Sequence, residues 1–375
     1  MIRPSFNPAS CISTCTRFRV RKTTLIQPEE YHRLMEMSLS GIAKTLSERG
    51  YGTEILALSL HRSGSGLLET ALSRNLTATY HSALAMTQEP LRTFVLHYLN
   101  RWDIANLLAI LRGKQQGFPL EQVHDILVPA GELDETFLNH LMGLSGCSEV
   151  TAALAAKEWA LHMTVAETYR TCGMKRVLAP VENALYQEYY RNLIAYTRAG
   201  HGSGPFLHYL RREIDFTNLR NLLRLRCYGK TCSISDFAEY MIPGGTVPLD
   251  LIRILYHAED HEVFADAFKK TGILPSVTRA LVNLHEGAPL TEDDAVFYVW
   301  NRWKQRKRVI HEVEIAVTRV HLEELDRMTR RHPFSALPAI SYLEEKRYEV
   351  ANLRAIFRGR AAGMAAEEIR RYLVL

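Results

Sequence analysis

Cysteine is scarce in this chain: six in 375 residues, at positions 11, 15, 147, 172, 227 and 232, with no Cys-x-x-Cys spacing. That excludes a disulfide framework and a thiolate zinc site, and it points to a reducing compartment. No window reaches 18 consecutive apolar residues. Even the stretch Ile104 to Leu111 is cut by Asn106 and stopped by Arg112, so no membrane-spanning helix is expected. Charge of one sign is also lacking. Lys and Arg total 46 against 41 Asp and Glu, a formal net charge of +5, short of the dense basic face of a dedicated nucleic-acid binder. Asn-Gly and Asp-Gly hairpin signals are absent. What is present is ordinary for a folded protein: 47% apolar and 23% charged residues, which exclude disorder and low complexity, over a length suited to two or three compact units.

The N-terminal segment, 1–28, carries Arg3, Arg17, Arg19, Arg21 and Lys22, and no acid precedes Glu29. A transit peptide shares that composition. Pro4 and Pro8 interrupt any early helix, however, and the apolar stretches are short. A basic segment over 1–28 leading into a first helix is the expectation.

Internal repetition organises the rest. The chain reads Asp103-x-x-Asn106-Leu107-x-x-Ile110-Leu111-Arg112 followed by Gly117. It returns as Asp215-x-x-Asn218-Leu219-x-x-Leu222-Leu223-Arg224 with Gly229, and again as Glu349-x-x-Asn352-Leu353-x-x-Ile356-Phe357-Arg358 with Gly363. Upstream, Glu69-Thr-Ala71-Leu72, Glu182-Asn-Ala184-Leu185 and Glu314-Ile-Ala316-Val317 precede the acid at a nearly constant interval. Downstream, Pro129-Ala-Gly131 and Pro243-Gly-Gly245 follow the acid at matching intervals, and the third copy meets Leu375 where the other two turn. The copies recur from 103 to 215 to 349, separations far beyond the roughly 34 to 47 residues of solenoid rungs. They predict three units, over 29–145, 146–250 and 251–375.

Within each copy the apolar residues lie at i+4, i+7 and i+8 from the acid, the stripe that a helix turns towards a core. The acid is expected in the first turn, the Arg in the last and the Gly at a left-handed cap. Leu138 to Met142 and Glu149 to Tyr169 also read as helical, and the fold class is all-α. The Asn is the one polar residue on the stripe, so it reads as a buried amide that fixes how its helix packs. The repeated set Asp103, Asn106, Arg112, Gly117, Asp215, Asn218, Arg224, Gly229, Glu349, Asn352, Arg358 and Gly363 is thus a structural core rather than a catalytic site.

On these residues the sequence resembles the C subunits of archaeal and bacterial A/V-type ATPases, the family that includes the d subunits of eukaryotic V-ATPases. Phe18-Arg19-Val20-Arg21 and Glu30-Tyr31-His-Arg-Leu34 resemble the family's opening helix and its acid-Tyr-x-x-Leu segment. The resemblance implies a funnel of three helical units about a pseudo-threefold axis. It also implies a non-catalytic rotor part of the central stalk, peripheral on the cytoplasmic face of the membrane. Such a part couples the shaft subunits to the proteolipid ring, for ATP synthesis or H+ or Na+ pumping. It needs no cofactor, no metal, no nucleic acid and no small-molecule ligand. A ring of many copies and one shaft differ in symmetry, so the adaptor between them must be stiff.

The densest charge run is Arg302-Trp303-Lys304-Gln-Arg306-Lys307-Arg308. It reads as a solvated helix face, or as a contact with polar ring loops, acidic shaft residues or anionic headgroups. Signatures of chemistry fail on inspection. Tyr228-Gly229-Lys230-Thr231 lacks the first Gly of a phosphate-binding loop, where Arg224 stands. Ser63-Gly64-Ser65-Gly66 lacks the third Gly of a dinucleotide fingerprint and reads as a loop. His257 and His261 lie four apart on an expected helix, but the Glu between them is misplaced for a zincin. Tyr186, Tyr189, Tyr190 and Tyr196 read as packing residues. An α-helical scaffold or adaptor that binds peptide or nucleic acid through 302–308 is the alternative function, and a helical enzyme ranks third.

Overall fold

The computed structural model describes residues 11–172, 178–201, 204–227, 237, 239–284, 291–305 and 310–375. Among them every regular element is helical and no strand occurs. In chain order the helices are α1 Ile12–Lys22, α2 Pro28–Glu36, α3 Leu39–Leu46, α4 Gly52–Ser59, α5 Gly64–Met86, α6 Leu91–Leu99, α7 Arg101–Gln116, α8 Leu120–His124, α9 Glu135–Gly143 and α10 Cys147–Ala156. There follow α11 His162–Cys172, α12 Leu178–Tyr196, α13 Gly204–Cys227, α14 Leu249–His257, α15 His261–Lys270, α16 Leu274–Leu284, α17 Glu292–Gln305, α18 Ile310–Arg331, α19 Leu337–Ala361 and α20 Ala366–Arg370.

Local chemistry sets many of the ends. Ser38 caps α3 by accepting from Gly41 N at 3.2 Å, Asp134 caps α9 from Phe137 N at 2.8 Å, and Asp260 caps α15 from Glu262 N at 2.7 Å. Pro28 and Pro338 stand in first turns, where a missing N–H costs nothing. Gly117 closes α7 at φ 67° and Gly363 follows α19 at φ 74°, both in the left-handed region.

The chain divides into two compact units, Met1–Ser203 with Pro333–Leu373, and Gly204–His332 with Val374–Leu375. In the first, α19 packs along α5 and α1, and α12 packs on α7 and α11. Its interior holds Phe18, Tyr80, Phe94, Tyr98 and Phe357, each 1% exposed or less. In the second, α18 packs against α13 and α16 around Phe216, Leu223, Phe264, Phe268 and Val317. Each such side chain contributes about 1.5–3 kcal/mol on burial.

Two helical expectations are corrected. Asp215 and Glu349 are not in first turns, since α13 already begins at Gly204 and α19 at Leu337; only Asp103 opens its helix. The apolar stripe simply continues upstream, with Phe206, Leu210 and Ile214 buried in α13 and Leu337, Ile340 and Leu343 in α19. The stretch 149–169 breaks between α10 and α11, where Glu158 takes φ 54°.

Candidate functional site: the acid and amide clamps

The motif acid and amide each hold a turn that lies far along the chain. In the first copy Asp103 is fully buried and accepts Glu132 N at 2.8 Å and Leu133 N at 3.2 Å. One helical turn on, Asn106 donates Nδ2 to Val128 O at 2.8 Å and accepts Val128 N on Oδ1 at 2.8 Å. The side-chain amide thereby pairs with a buried peptide as a neighbouring strand would. A Cβ on Gly131 would sit on the Asp103 carboxylate, so only glycine lets the turn come this close.

The second copy repeats this geometry. Asp215 accepts Thr246 N at 2.8 Å and Val247 N at 3.0 Å, and the Thr246 hydroxyl also donates to it. Asn218 exchanges two 2.8 Å bonds with Ile242, and Gly245 stands where a Cβ would meet Asp215.

In the third copy the N-terminal segment takes the place of the downstream turn. Glu349 accepts Ile26 N at 2.6 Å across a sequence separation of 323, the Tyr51 hydroxyl at 2.6 Å and Lys346 Nζ at 2.7 Å. Asn352 is buried and hydrogen-bonds the Tyr31 phenol. The register matches across copies. Leu133, Val247 and Ile26 each give an N–H to the acid, and each stands just before a helix, α9, α14 and α2. An aromatic donor recurs as well: Trp159 hydrogen-bonds Asp103, and Tyr51 serves Glu349.

The motif arginines follow a cyclic order. Arg112 lies 3.7 Å from Glu182, Arg224 2.5 Å from Glu314, and Arg358 2.7 Å from Glu69. Each pairs with the upstream Glu of the next copy, the third with that of the first. The arginines are about half exposed, at 48%, 57% and 59%, so each pair is worth well under about 1 kcal/mol. A buried cluster in the first unit is of greater consequence. Glu344, 2% exposed, accepts the Tyr98 hydroxyl at 2.8 Å and pairs with Arg101 at 3.2 Å and Arg347 at 2.8 Å. Arg101 also reaches the Tyr189 hydroxyl at 3.3 Å. One motif helix from the first copy, one long helix from the second and one from the third therefore share a single buried polar knot.

Burial pushes the Asp103 carboxyl up to about 7, against the lowering effect of the backbone N–H groups and the Trp159 donor. Burial likewise raises the Tyr31 and Tyr51 phenols well above their ordinary range, with the Glu349 charge adding to it.

The remaining candidates fall elsewhere. Gly229, Arg306, Lys307 and Arg308 lie outside the described residues; Arg302, Trp303 and Lys304 belong to the last turns of α17, their side chains outside the description. His257 ends α14 and His261 opens α15, so they do not share a helix. Among the described residues no group of three or more His, Cys, Asp or Glu is placed to hold a metal ion. Gly64 to Gly66 form the first turn of α5, not a loop. Tyr189 packs edge-on to Tyr190 at 5.1 Å, and Tyr196 packs on His97 at 4.3 Å. Among the described residues no helix is long and apolar enough to cross a membrane.

The clamps recur at whole-chain scale, and the comparisons with known proteins extend over the same span. The family described as ATP synthase (C/AC39) subunit matches residues 14–372. The C subunit of the A-type ATP synthase of Archaeoglobus fulgidus is 28% identical over 98% of this chain and 97% of its own length. That of Haloquadratum walsbyi is 29% identical, over 94% and 95%. That of Methanosarcina acetivorans is 31% identical, over 96% and 91%. With the match running from α1 through α20, the chain belongs to the ATP synthase (C/AC39) subunit family.

Proposed function

We propose that this chain is a non-catalytic central-stalk part of a rotary A/V-type ATPase, which couples the shaft subunits to the membrane proteolipid ring. It acts at the cytoplasmic face as a peripheral part of the complex. Family membership over residues 14–372 supports a place in the complex. The single observation that carries the mechanical role is the cyclic order of the clamps and arginine pairs, in which the third copy returns to the first. A part that repeats three times and ties its end to its beginning suits three units about a pseudo-threefold axis, the funnel that receives a shaft. Buried, mutually satisfied polar contacts stiffen such a part against torque.

The repeat boundaries proposed are 29–145, 146–250 and 251–375. The helix that follows each acid-bound turn favours moving the second start from 146 to 135. The basic run from Arg302 to Arg308 is proposed as a docking contact with an acidic or polar partner surface.

Cross-linking mass spectrometry on detergent-solubilised membranes tests the reading. The expected result is cross-links from this chain to both shaft and ring subunits. Charge reversal of Lys304, Arg306 and Lys307 should weaken those contacts, with the loss largest at low salt and shrinking as added salt screens the charges. Recovery of the chain only in soluble complexes or on nucleic acid would favour the adaptor reading instead.

A further inference from the structure

Helix α1 turns Cys15 and Phe18 to the core of the first unit and leaves its other face to solvent, through Ile12, Thr16, Arg17, Arg19, Val20 and Thr23. It carries four cations, Arg17, Arg19, Arg21 and Lys22, and no acid occurs in residues 11–28. Two of the four are engaged inside the fold. Lys22 pairs with Glu345 of α19 at 2.6 Å, and Arg21 hydrogen-bonds the Tyr342 phenol. The other two, Arg17 and Arg19, are exposed, and among the described residues neither makes an ion pair.

Exposed arginines alone make a solvated face. Here apolar side chains stand among them. Val20, at the middle of the outer face, is 62% exposed; Ile12, two turns back, is 48% exposed. Phe334, which precedes α19, is 41% exposed and holds the Arg19 guanidinium 5.7 Å from its ring centre. The hydroxyls of Thr16, Thr23 and Thr24 donate to carbonyls of the same helix at 2.9, 2.8 and 2.8 Å. They add no donor for an outside anion, and the two guanidinium groups supply it. A helix face about 16 Å long is convex and suits an extended anionic surface rather than one small anion.

We propose that the outer face of α1 docks on an anionic lipid surface. Arg17 and Arg19 engage headgroup phosphates, while Val20, Ile12 and Phe334 enter the boundary between headgroups and acyl chains. The arginine stems lie along that boundary with their charged ends among the phosphates. An acidic polyelectrolyte would meet the charges and leave the apolar side chains in water. The inference goes beyond the stalk reading, in which the membrane is met through the ring. Vesicle binding by the chain alone can fail while its cross-links to shaft and ring persist, so the two stand or fall separately.

Flotation of the purified full chain with vesicles tests it. Binding to phosphatidylcholine vesicles that carry about 30% phosphatidylglycerol is expected, with none to phosphatidylcholine alone. It should disappear as salt rises from about 50 mM to about 500 mM. Arg17→Glu with Arg19→Glu should lower the partition coefficient tenfold or more at an unchanged thermal midpoint, and lysine at both positions should restore most of it. Val20→Asp should lower it severalfold. Arg74→Glu with Arg279→Glu, at exposed positions on α5 and α16, makes the same change in net charge and should bind like the parent. No binding to the anionic vesicles would overturn the proposal, as would parent-like binding by the α1 double variant or an equal loss in the α5 and α16 control. Binding of polyglutamate through the same two arginines, with vesicles left unbound, would assign the face to an acidic protein instead.

Discussion

Asn218 does the work of a backbone strand with one side chain, since it satisfies both polar groups of the buried Ile242 peptide. Leucine has the same branched shape, is somewhat bulkier, and offers neither a donor nor an acceptor. Asn218→Leu is therefore expected to lower unfolding free energy by about 1–3 kcal/mol for each orphaned group, read from denaturant melts. A melt that superposes on the parent would show that the turn finds other partners. The amide could be read from the sequence because it is the only polar residue on an apolar stripe. Its partner could not, since Val128 and Ile242 are apolar residues whose backbones are engaged, and a side-chain pattern carries no mark of that. Gly131 and Gly245 were visible as turn glycines, but not the carboxylate that forbids them a Cβ.

Asp103 gives the same site a pH dependence. Its folded carboxyl titrates near 7, above the ordinary 3.8. Between those values the folded chain holds a proton that the unfolded chain releases, so this residue's contribution to stability falls as pH rises through the window. Asp103→Asn removes that slope. The stability difference between parent and variant should shift in favour of the parent on going from about pH 7 to about pH 4. A difference independent of pH would mean that Asp103 is ionised throughout.

At the scale of elements, the N-terminal segment gives the third copy the contact that a downstream turn gives the other two. Its Ile26 N–H meets Glu349 as Leu133 N–H meets Asp103. The sequence showed the third unit meeting Leu375 where the others turn, and it showed Glu30-Tyr31 as a separate motif. Nothing in local pattern joins positions 323 apart, so the substitution of one end for the other was not legible. The all-α class was, because period and stop signals are local. Glu349→Gln leaves Lys346 without its buried carboxylate and weakens the hold on Ile26 and Tyr51. Hydrogen exchange should then quicken by tenfold or more in residues 23–31 and 47–52, with 127–134 at the parent rate. Uniform quickening across all three turns would show global destabilisation rather than release of one latch.

For the whole molecule, the first unit is discontinuous: residues 1–203 are completed by 333–373 only after the second unit has been made. The completing helix α19 is no ornament to the core. It supplies Ile340, Leu343, Leu353 and Phe357 to the interior, and it supplies Glu344, the carboxylate of the buried Arg101. A chain that stops at His332 would bury Arg101 beside Tyr98 with no counter-charge, and leave the apolar face of α5 against water. The second unit, 204–332, keeps its own aromatic core of Phe216, Phe264 and Phe268. Calorimetry of the truncated chain is expected to show one transition, from the second unit, with the parent's other transition lost. Adding the 333–375 segment as a separate peptide should restore part of the lost enthalpy. If the truncated chain kept both transitions, residues 1–203 would fold without α19, and the return of the third copy to the first would not be what closes the unit.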